Sequence, residues 1–101
     1  MKKSACDKCI NIRQLVEIRT PGELTNAIKV IRANLSDYTL QDITRPAHAP
    51  SGEFADLREK GPWPDYVEHY FECIGCGRRF RLAVDTYHGA GGQWEGELET
   101  Y

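Results

Sequence analysis

The four cysteines of this chain fall into two pairs of identical spacing, Cys6-x-x-Cys9 and Cys73-x-x-Cys76. No other feature restricts the fold as tightly. Two intervening residues allow a tight turn that presents both sulfurs to one side, at the separation that Zn–S bonds of about 2.3 Å require. Two such pairs with a long insert are the usual sequence form of a tetrahedral four-thiolate zinc site. The pairs are 63 residues apart, so a shared metal would tie the N-terminal end to the C-terminal third. A chain of 101 residues benefits from such a staple, because a domain of this size buries only about 60–65% of its unfolded surface. Gly75 and Gly77, inside and after the second pair, permit positive φ and bring backbone N–H groups toward the sulfurs.

Other uses of the cysteines remain as alternatives. Structural disulfides need an oxidising compartment, and no hydrophobic stretch follows Lys2 and Lys3 to make a secretory signal. A thioredoxin-type pair sits where a strand enters a helix, whereas Cys73 and Cys76 lie between two strand-like runs. Two redox or disulfide pairs, or unligated thiols, are the readings that compete with a shared metal. A catalytic zinc keeps one position open and recruits His or carboxylate ligands. His48, His69 and His88 form no His-x-x-x-His or His-x-Glu pattern, and four thiolates would close the shell. The expected cofactor is therefore a structural Zn2+ held by Cys6, Cys9, Cys73 and Cys76.

The run Phe71-Glu-Cys-Ile-Gly-Cys-Gly-Arg-Arg-Phe80, with aromatics flanking the pair, resembles the knuckles of the zinc-ribbon and rubredoxin-like superfamily. Ala5-Cys-Asp-Lys-Cys9 resembles them less closely, since Ile10 stands where a glycine would follow. The insert is also longer than that of a compact ribbon.

Between the pairs, period-2 alternation through Ile12, Gln14, Val16 and Ile18 predicts a strand over Ile10–Arg19. Thr20-Pro-Gly-Glu23 is a capping box with proline at the first helical position. Leu24, Ala27, Ile28, Ile31 and Leu35 then recur at three- and four-residue steps, which predicts a helix over about 21–34 with one apolar face. Lys29 and Arg32 fall on the opposite face, late in that helix, where they suit its dipole. Tyr38–Ile43 reads as a short strand, 44–52 as a loop, and Phe54–Lys60 as a helical turn or a packed loop.

The C-terminal third reads as a sheet. Folding a hairpin about the second pair sets Phe71 opposite Phe80 and Val67 opposite Val84 on an inner face. The same register sets Glu72 opposite Arg79 and Tyr70 beside Arg81 on the outer face. His69 falls on the inner face, which predicts a buried histidine. A third strand is expected over Gln93–Leu98, with Trp94 and Leu98 inward. One helix packed on a mainly antiparallel sheet and stapled by zinc is an α+β fold in a single domain, 1–101.

Lysine and arginine number 13 and aspartate and glutamate 15, a formal charge of −2 that argues against a nucleic-acid-coating protein. No apolar run approaches the roughly 18 residues that cross a bilayer. A cytoplasmic protein is expected. Residues 1–34 carry seven basic and three acidic groups, while 61–101 carry three and seven. Tyrosines on the outer face alternate there with carboxylates, a composition that suits a basic protein partner. The expected contact residues are Asp65, Tyr66, Glu68, Tyr70, Asp85, Tyr87, His88, Glu95 and Glu97. The loop Asp85-Thr-Tyr-His-Gly-Ala-Gly-Gly92 matches no phosphate-cradling pattern and reads first as a tight β-connection.

Trp63-Pro-Asp-Tyr66, Cys73-x-x-Cys-Gly77, Phe80-x-Leu82 and the Asp85–Trp94 segment together resemble small bacterial immunity proteins of toxin systems. The resemblance covers about a third of the chain. It implies a small cytoplasmic inhibitor that occludes a basic toxin or effector. Two other readings compete: a nucleic-acid-binding zinc ribbon using Arg78, Arg79 and Arg81, and an enzyme using Asp85, Tyr87 or His88.

Overall fold

The computed structural model describes Cys9, Ile12 and residues 15–44 and 53–96. Its strands are β1 (Leu15–Ile18), β2 (Leu40–Asp42), β3 (Tyr66–Cys73), β4 (Arg79–Asp85) and β5 (Gly91–Gly96), with one helix, α1 (Pro21–Ser36). They form a single antiparallel sheet in the order β1-β5-β4-β3-β2. The last three strands are a meander. β1 is added beyond β5 and β2 beyond β3, so α1 carries the chain from one sheet edge to the other. The fold is α+β with a packed helix, as the patterning predicts.

The helix starts where its sequence says it should. The Thr20 hydroxyl accepts from the Glu23 N–H (3.2 Å), and the Glu23 carboxylate accepts from the N–H groups of Arg19 and Thr20 (3.0 Å each). Pro21 occupies the first turn at no hydrogen-bond cost. Leu24, Ile28 and Ile31 are buried against the sheet, each worth about 1.5–3 kcal/mol of burial as an upper estimate. The helix runs to Ser36, two residues beyond its predicted end, and its last turn holds no basic residue. Arg32 does not serve the dipole. It reaches across to Glu59 (Nη1–Oε2 3.2 Å) and to the Leu57 carbonyl, clasping the 53–60 segment to the helix with help from Thr25, whose hydroxyl donates to Glu59 O (2.6 Å).

The hairpin register is the expected one: Val67↔Val84, Phe71↔Phe80, Tyr70↔Arg81 and Glu72↔Arg79. Inward, Ile18, Val67, Phe71, Phe80, Leu82, Val84 and Trp94 form the core with the helix. Phe80 stacks on Trp94 (5.2 Å between centroids, 8°). His69 is buried in this layer, as expected, with Phe54 edge-on at 5.3 Å. Phe54 belongs to a single 3-10 turn, Phe54–Asp56, and also meets Phe71 edge-on at 5.1 Å.

Three boundaries differ from expectation. Strand β1 is Leu15–Ile18; of the rest of the predicted run, Ile12 lies in a turn, its N–H donating to the Cys9 carbonyl (3.0 Å), and residues 10, 11, 13 and 14 lie outside the described residues. Strand β2 begins only at Leu40, since Tyr38, at φ 63°, lies in the turn leaving the helix. Strand β5 begins two residues early, at Gly91, and Leu98 lies outside the described residues. The glycines explain the early start. A Cβ on Gly91 would lie 2.3 Å from Ile18 O and one on Gly92 1.9 Å from Ala83 O, so the strand fits between β1 and β4 only without side chains there.

Candidate metal centre and the uncovered sheet face

At one end of the β3–β4 hairpin the sulfurs of Cys9, Cys73 and Cys76 converge, all within 4.8 Å of one another. Cys9 and Cys73 are buried and Cys76 is half-buried, and none of the three is bridged by a disulfide. Cys9 Sγ lies 3.6 Å from Cys76 Sγ. A disulfide requires about 2.05 Å, whereas tetrahedral Zn–S bonds of about 2.3 Å place sulfurs about 3.8 Å apart. The donor set and its spacing fit a thiophilic divalent metal. Cys6, the fourth expected ligand, lies outside the described residues.

The second pair is positioned by a backbone knuckle. The Cys73 N–H donates to Arg78 O (2.8 Å) and the Gly77 N–H to Cys73 O (2.9 Å), closing a turn in which Gly77 has φ 79°. Only glycine adopts that angle cheaply. Gly75, expected to do the same, does not. The Ile74 N–H donates to Thr39 O (2.9 Å), which fastens the knuckle to the chain entering β2. Cys9 arrives from a separate part of the chain, fully buried in the core beside the Ile12 turn.

Sequence reasoning missed one neighbour of this centre. Arg78 is 2% exposed, the largest of the fully buried side chains. Its Nη1 donates to Cys9 Sγ at 3.6 Å, and its guanidinium lies over the Phe80 ring, 5.3 Å from the centroid. The β-alternation held a clue: Arg78 lies two residues before inward Phe80, and so on the same side of the strand by its period of two. The three arginines do not make one patch. Arg79 pairs with Glu72 (3.3 Å) and Arg81 with Glu95 (3.7 Å).

The sheet has one face under the helix; its other face carries no further layer among the described residues. That face gathers Tyr66, Glu68, Tyr70, Asp85 and Glu95 from β3, β4 and β5. Tyr70 and Glu95 flank Arg81 from either side, and the Tyr70 hydroxyl donates to Glu68 (2.5 Å). Asp65, Tyr87 and His88 stand at the end of the sheet remote from the cysteines, where the Thr86 and Tyr87 N–H groups donate to Asp65 O (2.9 and 3.0 Å). Glu97 lies outside the described residues. A hollow of about 460 Å³ opens on this face over Ala83, Gly91 and Gly92, with Glu17, Tyr66 and Asp85 among its walls.

Asp85 and His88 form the hydrogen-bonded pair of this end. The His88 N–H donates to Asp85 Oδ1 (3.0 Å), and its Nδ1 lies 3.1 Å from Oδ2. These contacts, the main-chain one first, hold the Asp85 carboxyl below its ordinary value. His88 is largely exposed, and among the described residues no hydroxyl or thiol bonds to it. Burial, the largest influence, pushes the His69 pKa down, while the Asp42 and Glu68 carboxylates oppose it. No helix of the described residues is long and apolar enough to cross a membrane. No family model, no curated protein and no solved structure matches the chain.

Proposed function

We propose that this is a non-enzymatic binding protein whose uncovered sheet face docks a basic protein partner, and whose cysteines hold a structural zinc. The observation that carries the reading is the composition of that face. Glu68 and Asp85 have no lysine or arginine within ion-pair reach among the described residues, and they stand beside Tyr66 and Tyr70 on rigid strands. Carboxylates without a cation steer a basic partner, and aromatic side chains on a preorganised sheet hold it. An immunity-type inhibitor, which covers a basic toxin or effector, is the form suggested by the resemblance of the Trp63–Trp94 motifs. Cysteines gathered for a metal and not bridged by a disulfide suit a reducing compartment such as the cytoplasm. The fourth zinc ligand in this reading is Cys6.

Two observations disfavour the alternatives. A nucleic-acid ribbon needs exposed phosphate contacts, yet Arg78 is buried and Arg79 and Arg81 face carboxylates. An enzyme built on the Asp85–His88 pair needs a nucleophile or a bound substrate group beside it.

The test is selective capture. Wild-type bait in native cell extract should retain a basic protein that Glu68→Lys and Tyr70→Ala baits lose and a Lys29→Ala bait keeps. With the purified pair, Glu68→Lys should slow association and flatten its salt dependence, and Tyr70→Ala should speed dissociation. Capture unchanged by both face variants but lost on Lys29→Ala would place the interface on the helix instead.

A further inference from the structure

We infer that Arg78 is the counter-charge of the metal centre, and that its guanidinium against Cys9 sets how tightly the metal is held. The inference rests on the zinc reading above and goes beyond it, because it assigns the retention of the metal to a residue that ligates nothing.

A guanidinium carries a fixed positive charge and five N–H donors. Burying it costs several kcal/mol unless an anion stands beside it. Here Arg78 is buried to 2% exposure with Nη1 3.6 Å from the sulfur of Cys9. Metal-bound cysteines are thiolates, so a divalent ion with four of them leaves the centre at −2, in surroundings of low dielectric. One buried arginine halves that charge. The donor also lies where it does most. Cys9 lies outside the described strands, in a turn with Ile12. The second pair is fixed by the knuckle, which Arg78 itself closes by accepting the Cys73 N–H (2.8 Å).

One residue thus grips both halves of the site, Cys73 through its main chain and Cys9 through its side chain. The guanidinium cannot swing away easily, because it lies over Phe80, which is stacked on Trp94. Groups that bond to metal ligands from behind typically contribute 10–100-fold in affinity. That is the size of effect this geometry assigns to Arg78.

Zinc affinity measured by competition with a chromophoric chelator tests the assignment, with Co2+ as a spectroscopic probe. Arg78→Met keeps the length and the apolar stem but removes the charge, and should raise the zinc Kd 10–100-fold. At saturating cobalt the same variant should show the wild-type thiolate-to-cobalt charge-transfer band, since its ligands are intact. Arg78→Lys, which restores the charge, should recover most of the loss, and Arg79→Met should match wild type. A Met variant within twofold of wild type, or a Lys variant as weak as Met, overturns the inference. If the Met variant does not fold even in excess zinc, the Lys variant decides on the same scale: affinity near wild type supports the assignment and a loss of tenfold or more refutes it. Wild-type protein that takes up neither zinc nor cobalt would instead bring down the zinc reading itself, and this inference with it.

Discussion

Stripping the metal should cost this fold about 4 kcal/mol. The magnitude follows from what the site connects. Cys9 and Cys73 are separated by 63 residues, and the unfolded chain would have to close that loop to bind the same metal, a cost the folded chain has already met. The chain-entropy relation for such a loop gives about 14–15 cal/mol/K, or about 4 kcal/mol at 25 °C. A domain of this size has about 5–15 kcal/mol of stability in all, and each kcal/mol moves its Tm by about 4–8 °C. A fall in Tm of about 15–30 °C is therefore expected. The perturbation should be made twice, by a chelator in reducing buffer and by Cys76→Ser. Cys76 is the half-buried member of the trio, so its replacement removes a ligand with the least loss of packing. Circular dichroism melts read the result, and added zinc should restore the chelated wild type but not the variant. Elemental analysis showing zinc in the native protein, combined with a Tm change under about 5 °C on removing it, would refute the staple. Sensitivity to reducing agent alone, with indifference to chelator, would return the disulfide alternative to first place.

Two further outcomes are expected. Thr20→Ala removes one half of the capping box and should lower stability by about 1 kcal/mol in urea unfolding, while leaving metal content unchanged; an unchanged midpoint would show that the cap carries no stability. His69 is buried and its pKa is lowered by that burial, so the unfolded chain takes up a proton near the ordinary histidine pKa of about 6.5 before the native state does. Stability should therefore fall as pH drops below about 6.5 and stop falling, for this group, below the lowered native value. His69→Leu should flatten that slope between pH 7 and 5, and an identical slope in the variant would assign it to other groups.

What could be read from the sequence was whatever a local rule decides. The hairpin register was legible because two independent sets of pairs, Phe71↔Phe80 inward and Glu72↔Arg79 outward, demand the same alignment. The helix start was legible because Thr20, Pro21 and Glu23 each specify it chemically. The helix end was not, since Asp37 and Tyr38 carry no strong stop signal and the left-handed Tyr38 is set by the chain's need to reach β2. The strand order was not legible either. Nothing local tells β1 to pair with β5, and the glycines that allow it, Gly91 and Gly92, read as loop. In the site, the spacing of the cysteines predicted their convergence, and Cys9, Cys73 and Cys76 do converge. Arg78 was misread because three arginines so close in sequence look like a solvated patch, although the strand period puts Arg78 on the same inward side as Phe80.

The candidate metal centre and the uncovered face are kept apart by β3. Its eight residues span about 23 Å, with the cysteines at one end and Asp65, Tyr87 and His88 beyond the other. A metal at the Cys73 end cannot touch a partner centred on Tyr66 and Asp85. In the proposed reading it would hold the strand that carries the face. β3 lies second from the sheet edge; among the described residues it is covered on that side by the three residues of β2 and by Ile43 and Thr44, which bond to Tyr70. Gln41 of β2 meets Glu72 (Nε2–Oε1 3.1 Å), and the Ile74–Thr39 bond continues that seam into the knuckle. So short an edge strand is a weak lock by itself. Closing the knuckle on a metal anchors the far end of β3 and β4 together, and the outward residues Glu68 and Tyr70 then keep one fixed spacing. Rigidity of this kind lowers the ordering cost of binding, so in the proposed reading a metal at one end of the hairpin would favour recognition at the other.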